Sequence, residues 1–388
     1  MQKKMFLIFY SIVLFVYGSV NYYIFVKGLQ AMPDDGTLRS IFPWVFWSLV
    51  ATYPLGRILE RVYLSGLSDF LVWTGSFWLA AMLYFFLVVF LIDLIRLINF
   101  IIPFYPPLIK NHYEMFKLYL MYAVVAGVLI TIVAGHINAI HPRIKTLNIH
   151  INKPANGLKS LNAVLVSDIH MGTLMGNGRV TKMVEQIQQL NPDIILLAGD
   201  VLDEDLAPVL RENTGETLRR LKAPMGVYAV MGNHEYIGGA QDAYQYLKDH
   251  GLTVLRDSVI KVKDSFYLVG REDRDKPRFS GKKRKEIPEL LKQTSNDLPV
   301  LLMDHQPYEL KEAATSGADL QVSGHTHDGQ MWPLNYITDA VYLISSGYGK
   351  IGEMHAYVSN GIGTWGPPVR VGNKPEIVNL RISFDESK

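Results

Sequence analysis

Near the C-terminal end of the 388-residue chain, His325 and His327 stand one residue apart in the stretch QVSGHTHDGQMW, directly after Gly324. Four short polar groups precede them: Asp168-x-His170, Gly199-Asp200-x-x-Asp203, Gly232-Asn233-His234-Glu235 and the single His305. Taken one at a time, each reads as an ordinary loop or turn. Taken together they offer imidazole, carboxylate and amide donors with no thiolate, because the chain has no cysteine. Such donors suit manganese, iron, zinc or a related divalent ion. Two such ions held ~3.5–4 Å apart around a shared oxygen make a hydrolytic centre.

These residues need elements that bring them to one place. Each group closes a short apolar run: LNAVLVSDIH, PDIILLAGDVLD, GVYAVMGNHE, LPVLLMDHQP and ADLQVSGHTH. Short aliphatic runs bounded by polar loops read as buried strands, and Val180, Met183, Val184, Ile187 and Leu190 between two of them keep helical spacing. Strands alternating with helices make an α/β domain, with the polar residues at strand C-termini, where open α/β sheets place their sites. Gly199, Gly232 and Gly324 precede candidate ligands at strand-to-loop turns, where a side chain would restrict φ or crowd the pocket. Asp304, Gln306, Asp328 and Gln330 flank the candidates and read equally as loop residues or as hydrogen-bonding support for them.

The five groups, in this order and each at a strand end, resemble the calcineurin-like metallophosphoesterase family over residues 158–381. HDGQMWP after the histidine pair and YVSNGIGTWGPPVRVGNKPEIVNLRI from Tyr357 to Ile382 look like its bacterial YkuE-like branch, which often carries N-terminal membrane segments. The resemblance implies a four-layer αββα sandwich, two packed mixed sheets flanked by helices. It also implies two divalent ions, one on Asp168, His170, Asp200 and His327 and the other on Asp200, Asn233, His305 and His325, with Asp200 bridging. Two divalent ions against two carboxylates and a bridging hydroxide leave about one net positive charge to attract a phosphate. The implied reaction is in-line attack of metal-bound hydroxide on phosphorus. His234, in neither ligand set, resembles the family's catalytic histidine and would protonate the leaving oxygen. Asp203, at the matching spacing after Asp200, is suited to fix its tautomer through a carboxylate–imidazole hydrogen bond.

The first third of the chain is different material. Residues 1–140 carry 15 charged side chains, against 59 in the rest. Phe6–Val26, Phe70–Ile92 and Leu118–Ile140 each supply the ~20 apolar residues that cross a bilayer, and Ile41–Gly56, broken by Pro43 and Pro54, is read as a fourth, shorter crossing. The expected organisation is therefore an all-α transmembrane region at 1–141, a linker at 142–157 and the metallophosphoesterase domain at 158–388. The apolar run after Lys3 and Lys4 fits an uncleaved anchor better than a signal peptide, since further crossings follow. With four crossings, eight basic residues lie on the side of the C-terminal domain and five on the other, which favours a cytoplasmic domain in a multi-pass cell-membrane protein.

A net charge of +2 gives no reason to expect nucleic acid, and protein partners leave no mark. The expected partners are the bilayer itself and a phosphorylated, lipid-linked or envelope-derived substrate, because anchoring confines an enzyme to the surface its substrate occupies. Monoester, diester and pyrophosphate bonds all remain open, and a UDP-2,3-diacylglucosamine pyrophosphohydrolase-like activity is one specific form. A membrane sensor or transporter that binds a phosphorylated ligand without cleaving it is the alternative, although the spans hold few polar residues beyond Asn21, Asp93, Arg96 and His136. The run Arg271–Lys285, with eight basic residues, reads as a solvated loop or as a patch for anionic head groups. His136, His141 and His150 match no metal spacing and are read as structural.

Overall fold

The computed structural model describes residues 2–386. The chain divides into two units, Met1–Gly135 and His136–Lys388.

The first unit is helical: α1 (Gln2–Ala31), α2 (Thr37–Val62), α3 (Gly66–Ile101), the short α4 (Pro107–Asn111) and α5 (Tyr113–Ala139), whose last turn belongs to the second unit. Three of these, α1 over Ser11–Ala31, α3 and α5, are long and apolar enough to cross a membrane. The expected fourth crossing, Ile41–Gly56, folds within the unbroken helix α2 despite Pro43 and Pro54, and α2 is not among these three. Helix α2 instead packs closely on α3. A Cβ at Gly56 would meet the backbone of Leu71 and Val72, and one at Gly75 would run into the backbone of Tyr53, so small residues set the approach. Ile24, Phe46, Val50 and Trp78 fill the space between α1, α2 and α3. Most of the polar groups there pair with one another, Ser76 Oγ being buried without a partner. Trp78 donates to Asn21 (3.0 Å), which donates to the Tyr17 carbonyl (2.8 Å), and Asp93 takes Tyr23 and Lys27, both at 2.7 Å.

The second unit holds two six-stranded sheets. The strands are β1 (Arg143–Pro154), β2 (Ser160–Val166), β3 (Ile194–Ala198), β4 (Val227–Val230), β5 (Thr253–Val254), β6 (Ser258–Val262), β7 (Phe266–Gly270), β8 (Val300–Met303), β9 (Leu320–Ser323), β10 (Gly347–Ile351), β11 (Met354–Val358) and β12 (Glu376–Asp385). One sheet runs β1-β12-β2-β3-β4-β5 and the other β10-β11-β9-β8-β7-β6. Both are mixed: β2, β3, β4 and β5 are parallel while β12 is antiparallel to β2, and β7, β8, β9 and β11 are parallel with an antiparallel strand at each edge.

The apolar runs are continuous because both faces of each central strand are covered. In β2, Leu161, Ala163 and Leu165 face the space between the sheets, where they meet Leu301, Met303, Leu320 and Val322 of the other sheet, while Val164 and Val166 face helix α6 (Asn177–Gln189). On the far face of the second sheet, Val300 and Leu302 pack on Ile287, Leu290 and Leu310 from two short helices. The order of layers is helix, sheet, sheet, helix, the sandwich the sequence leads one to expect. The expected linker 142–157 needs correction. Arg143 to Ile151 pairs in parallel with β12, and Ile149 and Ile151 are buried in the core between the sheets, so this stretch is part of the domain.

Candidate metal centre

All the candidate ligands sit just beyond strand C-termini. Asp168 and His170 follow β2, Asp200 and Asp203 follow β3, and Asn233 and His234 open the helix Asn233–Asp249 after β4. His305 follows β8, and His325 and His327 follow β9. The first three loops leave one sheet and the last two leave the other, so the site lies along the seam. His305 closes that seam: its Nδ1 donates to the Ala198 carbonyl (2.8 Å), which turns its Nε2 towards Asp200 Oδ2 (3.1 Å) and Asn233 Oδ1 (3.3 Å).

Two clusters share one edge. In the first, the Nε2 atoms of His170 and His327 face each other at 3.1 Å, and His327 Nε2 lies 3.5 Å from Asp168 Oδ1. In the second, Asp200, His305 and His325 bring ligand atoms within 4.8 Å of one another, and His325 Nδ1 lies 2.8 Å from Asn233 Oδ1. Asp200 Oδ2 is 3.9 Å from His170 Nε2 as well as 3.1 Å from His305 Nε2, so it stands between the clusters. Beside them His234 Nδ1 donates to Asp203 Oδ1 (3.0 Å), and the His234 ring meets that of His170 edge-on at 4.5 Å.

The backbone around these residues is costly and held in place by the ligands themselves. Asp168, His170, Asp200, His325 and His327 all have φ between 49° and 74°, the left-handed region, which costs on the order of 1 kcal/mol each for a residue with a side chain. Asp200 Oδ1 accepts from His234 N (2.9 Å), and Asp168 accepts from His325 N through Oδ1 (2.9 Å). Gly232 and Gly324 are required by close approach, since a Cβ at either would run into the carboxylate of Asp200 or Asp168 respectively.

The electrostatics suit cations. Burial pushes the Asp168 carboxyl up to about 6, with the Asp200 charge adding to it against the opposing pull of His305. Burial opposes ionisation of Asp200 too, but His305, His234 and His170 around it hold its carboxyl well below the usual range. Burial, reinforced by His234, lowers His170 to about 4, and burial with His305 lowers His325 to about 3. Burial and the neighbouring His170 and Arg370 hold His327 well below its ordinary value. Neutral imidazoles keep lone pairs for metals. The Nε2 atoms of His170 and His327, both imidazoles held neutral, converge beside the Asp168 carboxylate, an arrangement a divalent ion would satisfy. The donor set therefore fits a pair of metal ions.

Some of the surroundings had no signal in residue spacing. Arg370, fully buried, donates through Nη2 to the carbonyls of Asn360 and Gly363, both at 2.7 Å, and lies 3.2 Å from His327 Nδ1. It ties the loop after β11 to the His327 loop, and nothing in PPVRVGNKP links it to the ligands by pattern. Glu235 accepts from the backbone N–H groups of Asp200 (3.2 Å), Leu202 (2.8 Å) and Gly232 (2.7 Å). Its place three residues after Gly232 is a visible helix-start signal. Trp365 packs edge-on to His234 at 6.3 Å, and Tyr342 lies at a similar angle to His325 at 6.2 Å.

The flanking residues mostly serve elsewhere. Gln306 donates to Asp273, and Gln330 fixes the Trp365 and Pro367 carbonyls. Asp304 pairs with Arg271 (3.1 Å) and Arg284 (3.3 Å), and Glu309 joins both guanidiniums. That network, with Lys276 on Asp257 (2.8 Å), takes Arg271, Lys276 and Arg284 of the basic run 271–285 into ion pairs, while Arg274, Arg278, Lys282 and Lys283 stay exposed. His136 bonds to Pro368 O, His141 to Ile137 O and His150 to Ser383, away from the centre.

The sequence profile of the calcineurin-like phosphoesterases matches residues 161–329. A transmembrane protein with metallophosphoesterase domain from Danio rerio is 29% identical over 261 residues, covering 64% of this chain and 59% of that protein. An uncharacterized metallophosphoesterase of Aquifex aeolicus is 30% identical over 252 residues, covering 64% of this chain and 94% of that protein. One from Campylobacter jejuni is 26% identical over 392 residues, covering 97% and 98% respectively, so its likeness extends through the helical third. This chain thus spans about three fifths of the zebrafish relative's length and nearly all of the two bacterial ones. With its two-sheet sandwich and its Asp, His and Asn residues gathered along the seam, the chain belongs to the calcineurin-like phosphoesterase family.

Proposed function

We propose that the protein is a multi-pass membrane-anchored phosphoesterase working with two divalent metal ions. The observation that carries this reading is the convergence of Asp168, His170, Asp200, Asn233, His305, His325 and His327 from five loops, with a separate His234–Asp203 pair at their edge. Asp168, His170 and His327 would hold one ion and Asn233, His305 and His325 the other, with Asp200 between. When bound, such a pair supplies a Lewis-acid clamp on phosphoryl oxygens and makes water acidic enough to ionise near neutral pH. The remaining steps belong to the chain. Because a carboxylate only accepts, the bond to Asp203 fixes a proton on His234 Nδ1. Burial alone would lower His234, but the charges of Asp200 and Asp203 outweigh it and push it up to about 9; with Nδ1 engaged by Asp203, Nε2 is the atom that would hand a proton to the leaving oxygen. Trp365 and Tyr342 flank the two clusters.

Hydrolysis of bis(p-nitrophenyl) phosphate and p-nitrophenyl phosphate by metal-loaded wild type, His234→Ala and Asp200→Asn tests this. Loss in both variants supports the enzyme. Equal rates in all three would leave only a protein that binds a phosphorylated ligand. The ratio of the two substrates separates diesterase from monoesterase action.

Sidedness follows from the same proposal. If α2 does not cross, Lys27, Arg39, Arg57, Arg61, Arg143, Lys145, Lys153 and Lys159 share a side with the domain, against Lys3, Lys4, Arg96, Lys110 and Lys117. That is again eight to five towards the domain, with Lys3 and Lys4 exchanging sides with Lys27 and Arg39, so the basic bias favours a cytoplasmic domain for either number of crossings. Labelling a Lys263→Cys variant in intact cells with a membrane-impermeant maleimide checks it: protection is expected, and labelling without lysis overturns it.

A further inference from the structure

The segment after the metal-site histidines carries a feature the hydrolytic reading does not use. Between Trp332 and Ser345 the chain has one charged residue, Asp339, and that carboxylate accepts a hydrogen bond from Ser345. Yet Trp332, Tyr336, Ile337, Val341 and Leu343 are 50%, 63%, 61%, 53% and 57% exposed, and Trp365, beside His234, is 59% exposed. Elsewhere in the second unit, large exposed apolar side chains such as Leu210 and Ile237 are scattered. Six together around a polar centre mark a surface that is covered in use.

Its covering can be read from the chain. The last turn of α5, the end of a segment long and apolar enough to cross a membrane, is fastened within the second unit to the loop that carries Trp365 of this rim. Asn138 Nδ2 donates to the carbonyls of Arg370 (3.0 Å) and Asn373 (2.7 Å), and His136 Nδ1 bonds to Pro368 O (2.7 Å). Trp332 N donates to the carbonyl of Val371 (2.8 Å), between those two anchor points. The same loop thus receives the end of a crossing helix and the first residue of the rim. Trp and Tyr with aliphatic neighbours are the composition that settles at the level of lipid head groups.

We propose that the rim formed by Trp332, Tyr336, Ile337, Val341, Leu343 and Trp365 seats in the interfacial layer of the bilayer, so that the metal centre receives phosphoesters whose apolar part stays in the membrane. The substrate part rests on the phosphoesterase reading; the membrane contact does not. Because the chain has no cysteine, Ile337→Cys, Val341→Cys and, as a control, Glu353→Cys can each carry a single environment-sensitive fluorophore. In the full chain reconstituted into phosphatidylcholine–phosphatidylglycerol vesicles, the first two should be brighter than the control by about threefold or more and quenched by nitroxide-bearing lipids. Water-like emission at 337 and 341 overturns the proposal. Protection from a soluble quencher without quenching by the nitroxide lipids overturns it too, since the cover would then be protein. For the substrate, the double variant Ile337→Glu/Val341→Glu should lower kcat/KM for vesicle-embedded dodecyl p-nitrophenyl phosphate by about tenfold, because a charge in the interface opposes seating, and leave bis(p-nitrophenyl) phosphate in solution unchanged. Equal effects on both substrates, or none on the embedded one, overturn the substrate part. Hydrolysis of neither by wild type refutes the phosphoesterase reading and leaves the fluorescence to decide the membrane contact.

Discussion

The two units treat polar groups in opposite ways. In the helical unit most interior polar groups are spent on each other, Asn21 with Trp78 and Met82 and the half-buried Asp93 with Tyr23, Lys27 and Arg96, and Ser76 Oγ is the one buried side-chain polar atom among the described residues there that has no partner. In the sandwich, Asp168, Asp200 and five histidines are brought together in the interior, on left-handed backbone at five positions, with His170 Nδ1 left without a partner. In lipid an unsatisfied polar group has no remedy, so pairing is the stable outcome. Strain and unpaired donors persist only where a surrounding fold over-determines them and a ligand uses them. The helical unit therefore reads as an anchor and the seam between the sheets as the working part. The pairing of Asn21 and Asp93 also argues against a transport pathway through the helices.

Substitutions can break this contrast, beginning with the largest effect. Asp200→Asn removes the carboxylate between the two clusters. It should lower kcat/KM by about a thousandfold or more, with loss of bound metal measured by elemental analysis, because a two-metal clamp depends on its shared ligand. Asp304→Ala leaves the guanidiniums of Arg271 and Arg284 without their one fully buried acid, with only the more exposed Glu309 and, on Arg271, Glu286 beside them. About 3–5 kcal/mol of stability should go, seen as a large drop in the melting temperature of the second unit. His234→Ala should lower kcat by about 10²–10³ while metal content and melting stay at wild-type values, since it protonates without ligating. Gly75→Leu would force α3 away from the Tyr53 backbone and cost about 1–3 kcal/mol, read as earlier melting in detergent with phosphoesterase activity retained below the transition. Asn21→Leu should cost only about 0.6 kcal/mol, the usual worth of a hydrogen bond between membrane helices, and leave hydrolysis unchanged. A large loss of activity from either of the last two would show that the helical unit does more than anchor.

Much of this was legible because the signals are local. The runs ending in Asp168, Asp200, Asn233, His305 and His325 announced strands with site residues at their C-termini, and every such run is a central strand followed by its loop. The crossings were less legible. Composition marks an apolar stretch, but whether α2 is one depends on charges at its two ends and on its fit against α3 through Gly56 and Gly75. The ion pairs inside the basic run 271–285 were not legible for the opposite reason. Its acidic partners, Asp304 and Glu309, lie about 20 or more residues away and meet it only because β7 and β8 are adjacent.

By itself, the sequence determined the donor chemistry, the order of the strand ends and the separation of a charge-poor third from the rest, since residue type and short-range periodicity need no folding to be read. Only the tertiary structure decided that Arg370 and Glu235 hold the ligand loops, and that the stretch expected as a linker is β1. It also decided that the rim from Trp332 to Leu343 stays exposed beside the site while Arg271 and Arg284 do not. Those outcomes depend on which distant segments share a sheet edge or a loop, and pairing over such distances leaves no mark in the spacing of residues along the chain.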